Sequence, residues 1–82
     1  MAHETLHLVI ASVGETLFDG SVASVMLPGA DGVFEVLSHH EPLVSTLTSG
    51  TISLTQQSGE RREFAIEGGV AEISNNRAVV LL

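Results

Sequence analysis

The sequence predicts an all-β protein, a small antiparallel β-sandwich formed by one domain over residues 1–82. Apolar and hydroxyl residues alternate with a period of two in Thr51–Thr55, and in the opening segment Leu6, Leu8 and Ile10 alternate with His7, Val9 and Ala11, as in strands that cover a core with one face. Turn-forming residues recur about every 8–12 positions, a spacing typical of sandwiches and barrels. No segment of about 12 residues has the apolar period of a helix.

In the first half of the chain, glycine and proline separate short apolar segments. Gly14 and Gly20 bracket one such segment, and Pro28-Gly29 ends the strand that follows it. Asp31 and Gly32 favour a turn, because Asp bonds its own backbone and Gly tolerates a positive φ. The predicted strands here are residues 5–12, the segment between the two bracketing glycines, residues 22–27 and residues 33–37.

The second half begins with a segment of no clean period, residues 38–46, which we predict to be an irregular loop. Pro42 supports this, because proline biases the preceding residue away from helix. Asn75-Asn76 marks the last hairpin turn. The predicted strands here are residues 51–55, 63–67, 70–73 and 78–82. Because several strands, 22–27 among them, are apolar on both faces, part of the outer surface is expected to be apolar and to bind a partner.

Charge and composition exclude several classes of function. The sequence has ten acidic residues and three arginines but no lysine, and its net charge is −7. Phosphate backbones and anionic lipids are bound by clustered Lys and Arg, so we expect no nucleic-acid partner and no direct lipid insertion.

The absence of cysteine removes disulfides and thiolate chemistry. No stretch approaches the roughly 20 apolar residues of a membrane span, and residues 1–5 lack the basic start of a signal peptide, so a soluble protein is expected.

Residue types that support chemistry are present, but their spacing is unfavourable. Adjacent residues on an extended chain point to opposite faces, so His39 and His40 do not readily share one zinc ion. Ser38 and His40 lack a third group to orient a nucleophile. Gly68-Gly69 precedes a predicted strand, whereas a phosphate loop leads into a helix. We therefore expect no catalytic residue, no cofactor and no metal. The residues whose side chains could bind zinc, but whose spacing does not favour a shared ion, are His3, His7, His39, His40 and Glu41.

Short motifs run in order along nearly the whole chain. They are Leu6-His7-Leu8-Val9-Ile10, Glu15-Thr16-Leu17-Phe18-Asp19-Gly20, Leu27-Pro28-Gly29, Asp31-Gly32, His40-Glu41-Pro42-Leu43-Val44, Ser49-Gly50, and the run from Phe64 to Ile73. The second is similar to acidic-x-x-Phe-x-Gly, and the last to Phe-x-Val-x-Gly-Gly-Phe-x-Glu-Val. In this order they resemble the N-terminal β-sandwich domain of the F-type ATP synthase epsilon subunit, called delta in mitochondria.

The resemblance implies a sandwich of about ten short strands and a non-catalytic rotor role in the central stalk. The implied partners are the gamma subunit and the proteolipid (c) ring of the membrane sector. The implied location is peripheral, on the cytoplasmic face of the bacterial inner membrane. The family meets its rotor partners through the turn 29–32 and the loop 38–44. Carried onto this sequence, the partner-interface residues are Asp31, Glu35, His39, His40, Glu41, Pro42 and Leu43.

The sequence departs from the family pattern in places. The family's Gly-x-Leu-Pro before the loop histidine is missing, and Val33 stands where some relatives carry an acidic residue that meets the ring. We expect Asp31 or Glu35 to take that role. The family commonly continues into a helical hairpin that inhibits hydrolysis and in some members binds ATP, whereas this sequence has no C-terminal hairpin before it ends at Leu82. We therefore expect no ATP binding, whether the sequence is a natural short form or a fragment.

Two other classes of protein share this size and β content. A biotinyl or lipoyl carrier domain is excluded, because its attachment residue is a lysine and the sequence has none. A β-sandwich adaptor subunit of another protein assembly stays open as the alternative to a rotor subunit. Co-purification with gamma separates these two functions.

Overall fold

Alternating burial confirms the period-two pattern of the sequence. In the computed structural model, which describes residues 4–82, Leu6, Leu8 and Ile10 are buried, and the residues between them are half-buried. Ile52 and Leu54 are fully buried, and their neighbours in the same strand are exposed or half-buried. This is the pattern of pleated strands, in which successive side chains point to opposite faces.

Residues 4–82 form nine strands and no helix, which confirms the all-β sandwich. The resemblance had implied about ten strands. Within this part of the chain there is accordingly no helix long and apolar enough to cross a membrane. The strands are β1 (Leu6–Ser12), β2 (Glu15–Val22), β3 (Ser24–Gly29), β4 (Gly32–Leu37), β5 (Leu43–Leu47), β6 (Gly50–Thr55), β7 (Arg61–Ile66), β8 (Gly69–Ser74) and β9 (Arg77–Leu81).

The strands form two layers that join at one corner. The first layer has the order β2-β1-β9-β8-β5 and the second the order β7-β6-β3-β4. They join where Gly29 of β3 pairs with Leu47 of β5. All pairings of the described strands are antiparallel except that of β1 with β9, which is parallel. The sequence predicted an antiparallel sheet, and this pair departs from it. The tight turn between β8 and β9 makes those two strands antiparallel, and the resulting direction of β9 is parallel to β1.

The inward faces of the two layers form one apolar core. Fully burying a Leu, Ile or Val side chain stabilises a fold by about 1.5–3 kcal/mol, so these residues are its main source of stability. Among residues 4–82 no buried polar or charged residue is found. The buried hydrophobic residues are Leu6, Leu8, Ile10, Phe18, Val22, Val25, Leu27, Val36, Leu47, Ile52, Leu54, Ile66, Ala71, Ile73, Ala78 and Val80.

Aromatic packing closes the side of the sandwich where β2 faces β7. The rings of Phe18 and Phe64 meet edge to face, with centroids 6.4 Å apart. The guanidinium of Arg62 lies 5.4 Å from the centroid of Phe18 and 5.1 Å from that of Phe64. Such cation–π contacts stabilise by about 0.5–1 kcal/mol at exposed sites. On the opposite side, the layers end in β4 and β5.

Two glycines allow close packing within the second layer, beside the corner. A Cβ on Gly29 would lie 2.7 Å from the carbonyl oxygen of Gly32, and a Cβ on Gly50 would lie 2.9 Å from the Cβ of Pro28. Both distances are shorter than the van der Waals contact of real side chains. The chain here passes from β5 in the first layer to β6 in the second, and the Thr48 N–H donates to the Pro28 carbonyl at 2.8 Å.

The structure corrects two of the predicted segments. The predicted loop 38–46 is too long, because β5 starts at Leu43 and pairs with β8 from end to end. The predicted strand 22–27 is broken at Ala23, whose N–H donates to the Thr55 carbonyl at 2.8 Å. This break shifts the alternation by one residue, so that Val22 and Val25 are both fully buried.

One methyl group removed from the core should cost more than one removed from the surface of the same strand. We expect Ile52→Val to lose about 1 kcal/mol of unfolding free energy, because it leaves a small cavity, and to lower the thermal midpoint by roughly 4–8 °C. Thr51→Ser removes a methyl at an exposed position and is expected to cost less than half as much. Denaturant unfolding of both variants measures this. Equal losses would contradict the assigned faces of β6.

Candidate functional site

The predicted partner-interface residues lie along one strand and its two ends. Asp31 is in the turn before β4, Glu35 is within β4, and the loop 38–42 follows it. β4 has six residues, which at about 3.3 Å per residue place the turn and the loop roughly 17 Å apart. The two segments therefore do not form a single point of contact. A partner that lies along β4 would meet both.

β4 is an edge strand, since within residues 4–82 it pairs with β3 and with no other strand. Val33 and Leu37 project from it with 67% and 52% of their surface exposed. Glu35 lies between them, exposed and directly opposite Met26 of β3. We name this surface the β4 edge: Asp31, Val33, Glu35, Leu37 and the loop 38–42.

The loop 38–42 has a defined conformation. His39 has a φ of 62°, a left-handed conformation that costs an ordinary residue about 1–2 kcal/mol. Its N–H donates to Asn76 Oδ1 at 2.7 Å, and its Nε2 lies 3.1 Å from Glu4 Oε1. Ser38 Oγ donates to the same Glu4 oxygen at 3.3 Å. The His40 N–H donates to the carbonyl of the last residue of β4 at 3.3 Å.

The histidines of the loop have different partners. His39 contacts Glu4, whereas His40 Nδ1 donates to the Glu41 carbonyl at 2.7 Å. Among the described residues there is no group of three or more His, Asp or Glu residues that could hold a metal ion. His7 pairs with Asp19 in the first layer, and His3 lies outside the described residues. Ser38 donates to Glu4, and no pocket is found in residues 4–82.

Exposure differs among the remaining predicted residues. Glu41 and Pro42 are exposed, His40 is half-buried, and Leu43 is half-buried and packs against the core. Leu43 also pairs with Ile73 of β8. Leu43 therefore attaches the end of the loop to the core, while Glu41 and Pro42 are exposed to solvent.

A second surface is the outer face of the first layer. Val9 pairs with Val79, and Ala11 with Leu81. Val70 is opposite Leu81 on the other side. Val70 and Leu81 are 44% and 58% exposed, and the other three residues are half-buried. We name this surface the apolar face: Val9, Ala11, Val70, Val79 and Leu81.

Polar groups surround the apolar face. His7 Nε2 donates to Asp19 Oδ1 at 2.6 Å on one side, and Glu72 lies beside Val79 on the other. Contiguous apolar residues with a polar rim are typical of protein interfaces. If the loop 38–44 faces water, the sequence predicts that the contact lies on the outer sheet face around Val9, Ala23 and Val25. Val9 does belong to this surface, but Val25 is fully buried.

A family model described as "ATP synthase, Delta/Epsilon chain, beta-sandwich domain" matches residues 5–82. This chain belongs to that family. The match contains β1 to β9 and therefore both surfaces. It confirms the resemblance carried by the sequence motifs.

Relatives named ATP synthase epsilon chain match most of this member of the delta/epsilon family. The protein of Chlorobium limicola is 39% identical over 74 residues, which are 90% of this chain and 84% of the relative. The protein of Protochlamydia amoebophila is 35% identical over 74 residues, which are 90% of this chain and 50% of the relative. This chain thus matches most of the length of the first relative and half of the length of the second.

Solved structures share the fold of this delta/epsilon family member. A chain in the cryo-EM structure of the Euglena gracilis mitochondrial ATP synthase, OSCP/F1/c-ring, matches with a TM-score of 0.89 and 22% identity, over 94% of this chain and 49% of that chain. A chain of the Tetrahymena thermophila mitochondrial ATP synthase central stalk/c-ring matches with a TM-score of 0.75 and 10% identity, over 99% and 65%. At these identities the likeness shows the fold.

The carboxylate in the middle of β4 should protect its open edge. Unpaired apolar edge strands promote pairing between copies, and a charged side chain opposes it. We expect Glu35→Val to cause self-association that grows with concentration, because it joins Val33 and Leu37 into an apolar row. Sedimentation velocity over about a hundredfold range of concentration measures this association.

The matched control is Glu63→Val on β7, the edge strand at the other end of the second layer. Glu63 lies in the same outward row, since Met26 pairs with both Glu35 and Ser53, and Ser53 pairs with Glu63. Arg61 and Arg62 remain beside it and keep that edge charged. We expect this variant to sediment as the parent protein does. Equal association of both variants would contradict the specific role of the Glu35 carboxylate in protecting the β4 edge.

Proposed function

We propose that this chain is a non-catalytic central-stalk subunit of an F-type ATP synthase. It binds the gamma subunit and the proteolipid ring, and so couples ion-driven rotation of the ring to ATP synthesis. It contributes no catalytic residue, cofactor or metal ligand of its own. As part of the complex it is peripheral, on the cytoplasmic face of the bacterial inner membrane. The observation that carries this proposal is the presence of two separate exposed surfaces of different chemistry on a sandwich of the delta/epsilon family.

The apolar face suits gamma. A joint that transmits torque needs a long-lived interface, and lifetime comes from a desolvated apolar centre more than from surface charge. Val70 and Leu81 supply that centre, and the His7–Asp19 pair and Glu72 form its rim. Interfaces of standard size bury about 800 Å² on each partner, so a gamma contact would also include the polar rim and neighbouring residues of this five-strand layer.

The β4 edge suits the polar loops of the proteolipid ring. It presents the carboxylates of Asp31, Glu35 and Glu41 with the imidazole of His39, and its apolar side chains are separated by charge. Exposed polar contacts of this kind give orientation and register more than affinity. The residues predicted from sequence as the partner interface are assigned to this contact, with Leu43 as the support beneath it.

The two surfaces lie in different layers, so both partners can be held at once. The apolar face is the outer side of β1, β9 and β8, whereas β4 is the edge of the second layer. The rigid core between them transmits force without a hinge. Support for this arrangement comes from relatives named ATP synthase epsilon chain and from fold neighbours in structures titled F1/c-ring and central stalk/c-ring.

A charge placed in the apolar face should weaken binding of gamma. We expect Val70→Glu to raise the dissociation constant for gamma by tenfold or more, because the carboxylate would be buried without a partner. Val13→Glu is the matched control, since Val13 is 99% exposed at the turn between β1 and β2. It should stay within about twofold of the parent. Binding to immobilised gamma measures both, and an unchanged Val70→Glu variant would exclude this face.

A change of charge pattern in the loop should weaken binding of the ring. We expect His40→Glu with Glu41→Arg to fold normally, because both residues lie outside the core, and to bind ring-containing membranes several-fold more weakly. Binding of gamma should be unaffected. Vesicles that carry the ring, with the parent and variant compared in the same salt, provide the measurement.

The control for the loop variant is Glu63→Arg with Ala65→Glu. It makes the same net change of charge at two exposed positions of β7, away from the loop. We expect ring binding of this control to match the parent. If the loop variant also matches the parent, the loop faces water and the ring contact must lie elsewhere.

A further inference from the structure

Asn76 connects three segments of the chain at the loop end of the sandwich. Its Oδ1 accepts the N–H of His39 at 2.7 Å, and its Nδ2 donates to the Thr5 carbonyl at 2.8 Å. Its own carbonyl accepts the N–H of His7 at 3.2 Å. One side chain thus joins the start of the chain, the β8–β9 turn and the loop 38–42. From sequence, Asn76 is predicted only to lie in a hairpin turn.

The other contacts that restrain the loop are weaker. Glu4 binds Ser38 and His39, but the side chains of Glu4 and His39 are 66% and 69% exposed. Exposed ion pairs contribute little, because water and salt screen them. Asn76 is half-buried and binds two backbone groups that have no freedom to rotate away. The amide is therefore the main restraint on the position of His39.

The position of the restraint matters because His39 is in a left-handed conformation. Such a conformation costs free energy in a residue other than glycine, so it persists only where the surroundings fix it. The bond from Asn76 holds the N–H of His39 in place. In doing so it sets the direction in which the next residues, His40 and Glu41, leave β4. Without it, several loop conformations become accessible.

We propose that Asn76 is the positioning residue of the β4 edge: it does not touch the ring, but it pre-orders the loop 38–42 for binding. The inference rests on the proposed contact between this loop and the ring. A loop that is ordered before binding loses less conformational entropy when it binds, which raises affinity. An amide is needed, because it supplies an acceptor for His39 and a donor for Thr5 at once.

The neighbouring Asn75 provides a matched control. Both residues have positive φ, 51° for Asn75 and 58° for Asn76, as the two-residue turn requires. Glycine accepts this conformation without strain. Asn76→Gly thus removes the amide and keeps the turn, while Asn75→Gly makes the same change at the exposed neighbour, for which no hydrogen bond of the side chain is observed.

The first measurement is hydrogen exchange of the His39 amide by NMR, which needs no partner. We expect Asn76→Gly to speed this exchange at least tenfold and Asn75→Gly to leave it within about twofold. Amides of the core strands β1 and β6 should exchange as in the parent. An unchanged His39 amide in Asn76→Gly would overturn the inference and leave the proposed function standing.

The second measurement is binding to ring-containing vesicles and, separately, to immobilised gamma. We expect Asn76→Gly to weaken ring binding about tenfold, with binding of gamma within twofold. A loss for both partners would mean general destabilisation and would overturn the inference. Asn76→Gly should have little further effect in the His40→Glu, Glu41→Arg background, because both changes act through one loop. Full additivity would overturn it as well.

The two measurements separate the inference from the proposed function. If His40→Glu with Glu41→Arg leaves ring binding unchanged, the proposed ring contact fails, and the binding role of Asn76 fails with it. If that variant weakens binding but Asn76→Gly does not, the contact stands and Asn76 is not its positioning residue. Asn76→Asp gives a further check, because aspartate still accepts from His39 and should restore part of the ring affinity.

Discussion

The fold depends on the backbone contact at the corner between the layers. Gly29 and Leu47 pair there, and the chain passes from one layer to the other in the next few residues. Neither Gly29 nor Gly50 has room for a side chain, because a Cβ would meet Gly32 and Phe34 at the first position and Pro28 at the second. A larger residue at either position would therefore disturb the strand packing of the second layer beside the corner. The corner fixes how the two apolar inner faces stack, and it leaves β4 as an open edge.

Local pattern and long-range pairing differ in how far they can be read from sequence. The alternation in β6 is visible within its own residues, and its prediction was correct. β5 was missed because residues 43–47 lack that alternation, and their strand conformation comes from pairing with β8. Val25 was assigned to the outer face because the break at Ala23 depends on a bond to Thr55, distant in sequence. Such bonds leave no periodic signal.

The same distinction applies to the candidate site. Sequence motifs located the turn and the loop, but not the strand edge that lies between them or the roughly 17 Å that separate them. Val33 and Leu37 belong to the surface because β4 has no outer neighbour in residues 4–82. The Asn76 amide contacts a residue 37 positions earlier in the chain, a relation that the sequence alone does not contain. The motifs showed which residue types the site contains, whereas the relative positions of those residues required the three-dimensional structure.

The parallel pairing of β1 with β9 has a consequence for how the protein is made. The first and last strands lie side by side within the first layer, in register from residue 7 with 77 to residue 11 with 81. During synthesis, β1 can pair with β2 early, but its parallel partner β9 exists only after residues 77–81 have left the ribosome. Folds with such distant contacts form slowly, in milliseconds to seconds, and expose unpaired strands meanwhile. The acidic surface, at a net charge of −7, keeps nascent copies apart during that interval.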